Sequence, residues 1–250
     1  MLHKERSQQI MSILKAEGGF VSVKHLCDTL FASESSIRRD LKALEQQGLV
    51  KRSYGGATPV TNSSHIVTFN HRTRQNTQSK RQIAQKAAAL ITDGSVLFLD
   101  QSSTAFYLAE AIAGRHTLTV VTNNIEIMML LSGTEIRLIC SGGYLSEENR
   151  NCLVGDGARQ TFENIYADFV FFSVKAISDD GAVTDCAGEE VAVRNAMLRN
   201  GAKKILLCDS SKFGCKAAFK QCRLEDVDAL ISEGDSAQYF ASCSGKVKLL

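Results

Sequence analysis

The sequence has 250 residues, of which 44% are hydrophobic and 22% are charged, and its net charge is +2. This composition is typical of a globular protein, and the length suits either two domains or one large domain. No apolar run approaches the roughly 18 residues of a membrane-spanning helix, and residues 1–6 are too polar for a signal peptide, so we expect a cytoplasmic protein with no membrane partner.

The charge is distributed unevenly along the chain. Residues 1–82 contain 13 Lys and Arg against 6 Asp and Glu, a balance of +7, whereas residues 83–250 have a balance of −5. A basic N-terminal part followed by an acidic remainder is expected of a nucleic-acid-binding domain joined to a domain with another task.

The eight cysteines contain no C-x-x-C pair and form no cluster with histidines. This pattern predicts a reduced protein with no structural metal, and nothing in the sequence calls for a cofactor. Cys140 and Cys208 lie in apolar, strand-like runs and are expected to be buried, because a free cysteine behaves as a small hydrophobic residue.

Two helices are predicted at the start of the chain. The first spans about residues 4–16 and ends at the glycine pair of residues 18 and 19. Ser22 can cap a second helix over residues 23–30, and a short turn then leads into a third helix.

The third helix carries the strongest signal in the sequence. Ser33 can cap its start, Gly48 can end it, and Ile37, Leu41 and Leu44 make a narrow apolar stripe. An ordinary solvated helix face would have a similar composition, but the opposite face here offers hydroxyl, amide and cationic groups suited to base edges and phosphates. These candidate DNA-binding residues are Ser35, Ser36, Arg38, Arg39, Lys42 and Gln46.

Residues 49–56 add the features of a β-wing to the three predicted helices. Residues 49–53 form a short apolar and basic strand, and Gly55 and Gly56 form a turn, as expected of a β-wing whose Lys51 and Arg52 contact phosphates. A helix, a short turn and a basic helix follow the order of a helix-turn-helix, whose second helix enters the major groove. The sequence therefore predicts a winged helix-turn-helix over residues 1–57.

This region resembles a known family. The run of residues 33–41, followed by Leu44, residues 48–49, Arg52 and residues 55–57, resembles the N-terminal winged helix-turn-helix of DeoR-type transcriptional regulators. Ser36 stands where that family usually has Thr, which keeps the hydroxyl. The resemblance implies double-stranded operator DNA as a partner. Because helix-turn-helix proteins usually bind paired half-sites, we also expect a homo-oligomer, either a dimer or a tetramer.

A linker is predicted over residues 58–77. It contains Pro59, the only proline of the chain, and it is polar with no acidic residue. Arg72 and Arg74 within it are expected to add affinity for the DNA backbone that does not depend on base sequence.

From residue 78 onward, short apolar strands alternate with helices, which predicts an α/β domain over residues 78–250 with a mostly parallel sheet covered on both faces. The predicted strands cover residues 96–99, 118–121, 136–140, 169–174, 205–208 and 229–231, and the predicted helices cover residues 83–91, 105–113, 125–131 and 189–200.

Polar residues follow five of these strands, and ligands of such sheets bind at the carboxyl ends of the strands. Any one of these loops can be only a helix cap, but five at one edge favour a ligand pocket. Hydroxyl groups beside a helix N-terminus suit a phosphate, with two lysines as countercharges and the Asp and Asn left to bind hydroxyls. The candidates are Asp100, Ser102, Ser103, Thr104, Thr122, Asn123, Asn124, Gly142, Gly143, Lys175, Asp209 and Lys212.

The same stretches resemble the C-terminal effector domain of the DeoR family, which is similar to the sugar-phosphate isomerase fold. The matching pieces are residues 100–104, 122–124, 142–143, 153–155 and 209–213, together with Glu190. The resemblance implies that a phosphorylated sugar or polyol is the effector and adds Glu190 to its site. Residues 101–102 replace a glycine common in the family, and Lys175 replaces a common Asp.

Two other functions remain open at this point. A sugar-phosphate isomerase with a DNA-binding head needs a carboxylate to move a proton, but Lys175 stands where the isomerases have acidic residues. A purely structural DNA-bridging protein leaves the polar strand ends unexplained. We therefore predict a transcriptional regulator, expected to repress a sugar or polyol catabolic operon, with no catalytic residues.

Overall fold

The computed structural model describes residues 3–17, 20–47, 49–59, 69–234, 236–240 and 247–250. The chain forms two compact units, Met1–His71 and Arg72–Leu250. The helix-ending glycines expected at residues 18, 19 and 48 lie outside the described residues. None of the helices in the described part of the chain has both the length and the apolarity to cross a bilayer.

The N-terminal unit is a winged helix-turn-helix, as predicted. Its helices pack around a core that includes Ile10, Leu14, Leu26, Ile37 and Leu41, all almost fully buried. Its three strands form an antiparallel sheet in the order β1-β3-β2. The elements are α1 (His3–Glu17), β1 (Val21–Ser22), α2 (Val23–Leu30), α3 (Glu34–Gln46), β2 (Val50–Ser53) and β3 (Gly56–Pro59).

Local hydrogen bonds explain where the helices of this unit begin. The hydroxyl oxygen of Ser22 accepts a hydrogen bond from the backbone N–H of His25, and that of Ser33 accepts one from Ser36. Both serines therefore satisfy an N–H group that has no partner within the helix. Phe31 ends α2 in the left-handed conformation, with φ +49°, and its ring is almost fully exposed.

Regular structure occupies most of the described part of the segment that we predicted as a linker. Strand β3 runs to Pro59, helix α4 covers Phe69–Arg74, and the next helix begins at Thr77. Composition alone missed α4 because its residues are polar and its last turn is held by distant side chains. The hydroxyl of Tyr107 and the ammonium of Lys80 donate to carbonyls at its C-terminal end.

The C-terminal unit is built on a seven-stranded sheet in the order β15-β14-β12-β9-β4-β5-β6, with every neighbouring pair parallel. The strands are β4 (Val96–Leu99), β5 (Thr119–Thr122), β6 (Arg137–Cys140), β7 (Tyr144–Leu145), β8 (Leu153–Val154), β9 (Ala167–Phe172), β10 (Ala176–Ile177), β11 (Ala182–Asp185), β12 (Gly201–Leu207), β13 (Phe219–Arg223), β14 (Ala229–Ile231) and β15 (Lys248–Leu249). The helices are α5 (Thr77–Ala88), α6 (Ser103–Ile112), α7 (Ile125–Leu131), α8 (Asp156–Glu163), α9 (Gly188–Asn200) and α10 (Ser236–Tyr239).

Helices cover both faces of this sheet, because alternate residues of each strand point to opposite sides. Leu97, Leu99 and Phe171 pack with α5, α6 and α7, whereas Phe98 and Phe172 pack with α8 and α9. The predicted fold class, a winged helix-turn-helix followed by a mostly parallel α/β domain, is confirmed.

Several short elements were not predicted. Strands β10, β11 and β13 form a small antiparallel sheet, and β7 pairs with β8. These strands lack the continuous apolar run that marks the strands of the large sheet, because β7, β8 and β10 have two residues each and β11 and β13 contain polar residues. Cys208 is buried as predicted, but the prediction for Cys140 is wrong: Cys140 is exposed because it ends β6, an edge strand of the large sheet.

Candidate functional site

The candidate DNA-binding face lies on α3, opposite its buried stripe. The side chains of Ser35, Arg39, Lys42 and Gln46 are exposed, and that of Ser36 is half-buried. Within the described residues, neither Arg39 nor Lys42 forms an ion pair. Both cations are therefore available to base edges or phosphates without breaking an internal contact.

Two other cations of this surface are already paired with acids. The Arg38 guanidinium lies 2.5 Å from Glu34, and the Arg52 Nε lies 2.8 Å from Glu45, which also accepts the Arg52 backbone N–H. Hydrogen bonds from Arg52 hold the pKa of Glu45 below its ordinary value. The sequence interpretation placed no acid on the recognition face and did not consider these neighbours. Exposed pairs of this kind contribute little stability, so a phosphate can replace either carboxylate at small cost.

A buried acid fixes the orientation of the recognition helix. Asp40 on α3 is fully buried and accepts hydrogen bonds from the guanidinium of Arg6 on α1. Sequence reasoning missed this pair, since a charged residue on a helix normally faces water. The pair joins two helices that are 34 residues apart in the sequence and so positions the face that carries Arg39 and Lys42.

The wing places a further cation and a ring in solvent. Lys51 on β2 is exposed, and Tyr54 stands fully exposed at the turn before β3. Gly55 has φ +81°, which a glycine adopts without strain. A side chain at Gly56 would collide with the carbonyl of Val21, so this glycine lets β3 pair closely with β1.

The candidate effector site lies where the strand order of the large sheet reverses. From β4 the chain moves outward through β5 to β6, then returns to place β9 on the other side of β4 and continues to β12 and β14. Ligands of open α/β sheets bind at the carboxyl ends of the strands at such a switch point. Asp100 directly follows β4, and Ser173 directly follows β9.

Asp100 joins these two strand ends. Its carboxylate is fully buried and accepts hydrogen bonds from the backbone N–H groups of Ser102, at 3.0 Å, and Ser173, at 3.1 Å. It also accepts the guanidinium of Arg194 at 3.0 Å. Both oxygens are thus engaged by the protein, so Asp100 positions the loops. This role differs from the expected one of binding effector hydroxyls.

Arg194 was not singled out in the sequence, because nothing distinguishes it from other charged residues of α9. The structure buries it fully, and its guanidinium contacts Asp100, Asp185 and Gln221. Burial alone would lower the pKa of Arg194, but Asp185, Asp100 and Glu190 outweigh burial and raise it. Arg194 therefore stays charged and neutralises the acids beneath the site.

Glu190 also has protein partners for both oxygens. It accepts hydrogen bonds from the side-chain amides of Gln101, at 2.9 Å, and Asn149, at 2.8 Å. The thiol of Cys152 lies 3.7 Å from the same carboxylate, and burial together with Glu190 raises the pKa of this thiol. Glu190 thus connects α9 to the loop after β4, and no sequence pattern predicted these partners.

The hydroxyl loop after β4 has the geometry expected of an anion site. Ser102 caps α6 through the N–H of Ala105, at 3.0 Å, while Ser103 and Thr104 occupy the first turn and are buried. The first N–H groups of a helix have no intrahelical acceptor, and the helix dipole adds partial positive charge there.

Buried polar atoms without partners gather at this same edge of the sheet. Among the described residues, the buried side-chain atoms without a hydrogen-bond partner include four at this edge: Thr104 Oγ1, Asn123 Oδ1, Asn124 Nδ2 and Ser141 Oγ. They follow β4, β5 and β6, three adjacent strands. Buried polar atoms are nearly always hydrogen-bonded, so a group of unpartnered ones indicates a surface prepared for a polar ligand.

Other predicted residues after β5 have structural partners. The hydroxyl of Thr122 donates to the carbonyl of Leu99, and the side-chain oxygen of Asn124 accepts the N–H groups of Glu126 and Ile127 at the start of α7. Asn123 donates to the carbonyl of Leu153 and reaches Gln101 at 3.5 Å. These contacts hold the unpartnered amide atoms of Asn123 and Asn124 in fixed positions.

The predicted cations differ in their surroundings. The ammonium of Lys212 donates to the hydroxyl of Ser173 at 3.0 Å and lies 3.5 Å from Asp209. Lys212 is thereby linked through Ser173 and Asp100 to the hydroxyl loop. Lys175 is exposed and, among the described residues, forms no ion pair.

Gly142 and Gly143 have a packing role that was not expected. The Gly142 N–H donates to Thr161, and a Cβ on Gly143 would lie 2.2 Å from the carbonyl of Val154. Gly143 also has φ +102°. The close approach that these glycines permit is therefore to β8 and α8, and the sequence interpretation assigned it to a ligand.

A winged helix-turn-helix unit joined to an α/β unit with a polar site at its switch point defines a ligand-responsive DNA-binding regulator. Comparison with family models agrees: residues 6–63 match the DeoR-like helix-turn-helix domain, and residues 75–234 match the DeoR C terminal sensor domain. The chain belongs to the DeoR family of transcriptional regulators.

Its relatives match over nearly the whole chain. The HTH-type transcriptional regulator GlpR of Haloferax volcanii is 32% identical over 94% of this chain and 91% of its own. The glycerol-3-phosphate regulon repressor of Escherichia coli is 30% identical, over 93% of this chain and 92% of its own. The regulator GolR of Listeria innocua is 31% identical, over 92% and 90%.

Among solved structures, ribose 5-phosphate isomerase A of Methanocaldococcus jannaschii aligns with a TM-score of 0.43 and 19% identity, over 56% of this chain and 55% of its own. So distant a similarity carries no conclusion about activity. The family and the regulator class predicted from the sequence are confirmed by the family models and the relatives.

Proposed function

We propose that this regulator represses a sugar or polyol catabolic operon, and that a phosphorylated sugar or polyol bound at the carboxyl edge of the large sheet controls its operator affinity. The observation that carries the proposal is the group of unpartnered buried polar atoms on Thr104, Asn123, Asn124 and Ser141, beside the N-terminus of α6. The similarity to the glycerol-3-phosphate regulon repressor of Escherichia coli supports this chemical class.

The phosphate is proposed to bind at Ser103, Thr104 and the first N–H groups of α6, with Lys212 as countercharge. Several charge-assisted hydrogen bonds are available to a phosphate there, each stronger than a bond between neutral groups. Asn123 and Asn124 then bind hydroxyls of the effector through their unpartnered amide atoms.

On the DNA side, Arg39, Lys42 and Gln46 are proposed to contact the major groove, with Ser35, Ser36 and Arg38 at its border. Lys51 and Arg52 are proposed to contact phosphates. Two copies of this unit would bind paired half-sites, so the proposed regulator is a homo-oligomer.

The alternative function, a sugar-phosphate isomerase, can be judged from the hydrogen bonds of three carboxylates. Aldose–ketose isomerisation needs a carboxylate near the effector to move a proton, but Asp100 and Glu190 are each engaged by protein donors on both oxygens. Asp180 accepts from Ser178 and the N–H of Ala182, and these bonds lower its pKa, which makes it a weaker base. These contacts favour a regulator without catalytic activity.

The test begins with purified full-length protein and a DNA duplex that the protein selects from a randomised pool. Calorimetry compares glycerol 3-phosphate, ribose 5-phosphate, fructose 1-phosphate and fructose 6-phosphate with the corresponding unphosphorylated compounds. We expect one phosphorylated compound to bind and to change operator affinity, while its unphosphorylated partner binds much more weakly. Equal affinity for both forms would overturn the phosphate assignment, and turnover of any of these compounds would favour the isomerase.

A variant that adds a negative charge tests where the phosphate binds. Ser103→Asp places a fixed negative charge in the proposed phosphate position and should abolish the effector response while operator binding persists. Ser132→Asp, which adds the same charge at an exposed residue after α7, is the matched control and should respond normally. A Ser103→Asp protein that still responds would contradict the assignment.

A further inference from the structure

The first residues of the C-terminal unit, residues 72–76, are held by side chains from three different parts of that unit. The hydroxyl of Tyr107 on α6 donates to the carbonyl of Thr73 at 2.8 Å. The ammonium of Lys80 on α5 donates to the carbonyl of Gln75 at 2.8 Å and to that of Arg72. In the sequence, this segment directly follows the last residue of the DNA-binding unit.

These contacts hold the C-terminal end of α4, whose first residue, Phe69, is buried. The helix has six residues, Phe69–Arg74, and so short a helix has no stability of its own in water. The last carbonyl groups of a helix need partners from outside its regular bonding; that of Arg72 accepts the backbone N–H of Gln75 at 3.2 Å and also the buried ammonium of Lys80. Weakening the attachment of residues 72–76 therefore removes what keeps the end of α4 ordered.

Asn76 connects this segment to the proposed effector site. Its side-chain amide donates to the Asp209 carboxylate at 2.9 Å and to the Ser211 hydroxyl at 3.0 Å. Asp209 lies 3.5 Å from Lys212, the lysine proposed as the countercharge of the phosphate. A continuous series of polar contacts thus leads from Asn76 through Asp209 and Lys212 to Ser173 and the hydroxyl loop.

The charges around this connection are not balanced locally. Burial and the charges of Lys212 and Arg72 together lower the pKa of Lys80 to about 8, while Asp209 opposes them. Burial would raise the pKa of Asp209, but Lys212, hydrogen bonds from Ser211 and Asn76, and Lys80 outweigh burial and lower it. Lys80 therefore lies near two cations and one carboxylate. A second anion that enters this region competes with Asp209 for the cations that Asp209 contacts.

We propose that the Asn76–Asp209 hydrogen bond is a latch between the effector site and the segment leading to the DNA-binding unit, and that the effector's phosphate opens it. This inference rests on the proposed function. When the phosphate takes Lys212 as its partner, Asp209 loses its ion pair and meets a second negative charge. Asp209 then moves away from the phosphate and releases Asn76.

Because of the latch, effector binding and operator binding depend on the same equilibrium between a closed and an open form. The effector binds the open form better, so it shifts the population toward that form, and the same free energy appears as a change in operator affinity. Breaking the latch by mutation should therefore imitate the effector in part. It should also strengthen effector binding, because the effector no longer has to open the latch.

Asn76→Gly is the sharpest variant. Asn76 has φ +50°, which glycine adopts without strain, so the change removes the amide and keeps the backbone conformation. Gln75→Gly is the matched control, since it adds the same flexibility next door and removes an exposed side chain while the carbonyl bound by Lys80 stays. Tyr107→Phe, which removes the bond to Thr73, is an independent second variant.

The readout is the ratio of operator dissociation constants with and without an equimolar mixture of the four sugar and glycerol phosphates named above. Couplings of this kind are typically about 5-fold to 150-fold, and we expect the ratio for Asn76→Gly to fall below roughly 3-fold. Without the mixture, its operator affinity should already lie near the effector-bound value of the wild type, and calorimetry should show equal or tighter binding of the mixture. Tyr107→Phe should move in the same direction by less, and Gln75→Gly should match the wild type.

The outcomes separate the two proposals. Wild-type protein that binds no component of the mixture overturns the proposed function and the latch together. Wild-type protein that responds, with Asn76→Gly keeping the full ratio, overturns the latch alone. Loss of the ratio in Gln75→Gly as well would assign the effect to chain flexibility, which also overturns the latch.

Discussion

The proposed DNA-binding face and the proposed effector site are built in opposite ways. The face comes from one helix and the adjoining strand, and its side chains stand in solvent within about twenty residues of sequence. The proposed effector site draws on residues from Asp100 to Lys212, and most of its polar groups are buried. A surface built within one helix can be recognised from periodicity, whereas a site assembled by the sheet depends on strand order.

The ion pairs of the two regions differ in the same way. Arg38 and Glu34 are each more than half exposed, while Arg194 and Asp100 are almost completely buried. An exposed pair contributes little to stability and can be exchanged for a phosphate, but a buried pair is expensive to break. The exposed cations of the DNA-binding face can therefore exchange a carboxylate for a phosphate, whereas the buried pair of the proposed effector site holds the loops of that site in place.

The largest expected effect tests the buried side of this comparison. Arg194→Met leaves Asp100 and Asp185 buried without their cation and should lower the free energy of unfolding by about 3–5 kcal/mol. Denaturant unfolding followed by circular dichroism measures it. Arg199→Met, on the same helix, removes only the exposed pair with Glu163 and should cost less than about 1 kcal/mol. Similar losses in both variants would contradict the contrast.

The second-largest expected effect tests the exposed DNA-binding face. Arg39→Ala should weaken specific operator binding by about 1–3 kcal/mol, as expected for an arginine at a base edge or phosphate, with no loss of stability. Titration of the selected duplex at fixed salt measures it, and Lys24→Ala, an exposed cation on α2, is the control. Unchanged affinity would mean that α3 is not the recognition helix.

A smaller effect concerns the wing. Replacing Lys51 and Arg52 by Gln should weaken specific and non-specific binding alike and reduce the salt slope by about 0.9 for each lost phosphate contact. Affinities measured over a series of salt concentrations give the slope. A double variant that loses only sequence preference, with the slope intact, would place these side chains on bases.

Phe31 offers a gain in stability. An aromatic residue in the left-handed conformation is strained, and Asn adopts that conformation more readily. Phe31→Asn should therefore stabilise the DNA-binding unit by about 0.5–1 kcal/mol relative to Phe31→Ala, since both variants remove the exposed ring. Thermal unfolding of the two variants decides it. Equal stabilities would mean that the backbone at this turn is not strained.

The smallest expected effect is the uptake of a fraction of a proton when the effector binds. Because burial and the charges of Lys212 and Arg72 lower the pKa of Lys80 to about 8 against the opposing effect of Asp209, the destabilisation from burying its charge is complete below that pH and disappears as pH rises toward the unfolded value near 10.4. At about pH 9 Lys80 is mostly neutral, so a nearby phosphate should cause uptake of a fraction of a proton. Calorimetry in two buffers of different ionisation enthalpy measures it. Lys80→Met should abolish the uptake, and uptake that persists would assign it elsewhere.

The sequence by itself determined the elements of the DNA-binding unit. Ser22 and Ser33 cap their helices, and Ile37, Leu41 and Leu44 are buried, because capping and helical periodicity act within a few residues. It also determined six of the seven strands of the parallel sheet, β15 being the exception, since continuous apolar runs such as Val96–Leu99 favour a strand covered on both faces.

Only the tertiary structure decided which polar groups keep free hydrogen-bonding capacity. Asp100, Glu190 and Asn124 all follow strands or begin helices, and all three were predicted to bind the effector. Their partners, among them Arg194, Gln101 and the start of α7, come from separate segments, so burial and pairing are set by the fold. The attachment of residues 72–76 to Asp209 spans more than 130 residues and follows from strand order, which local patterns do not encode.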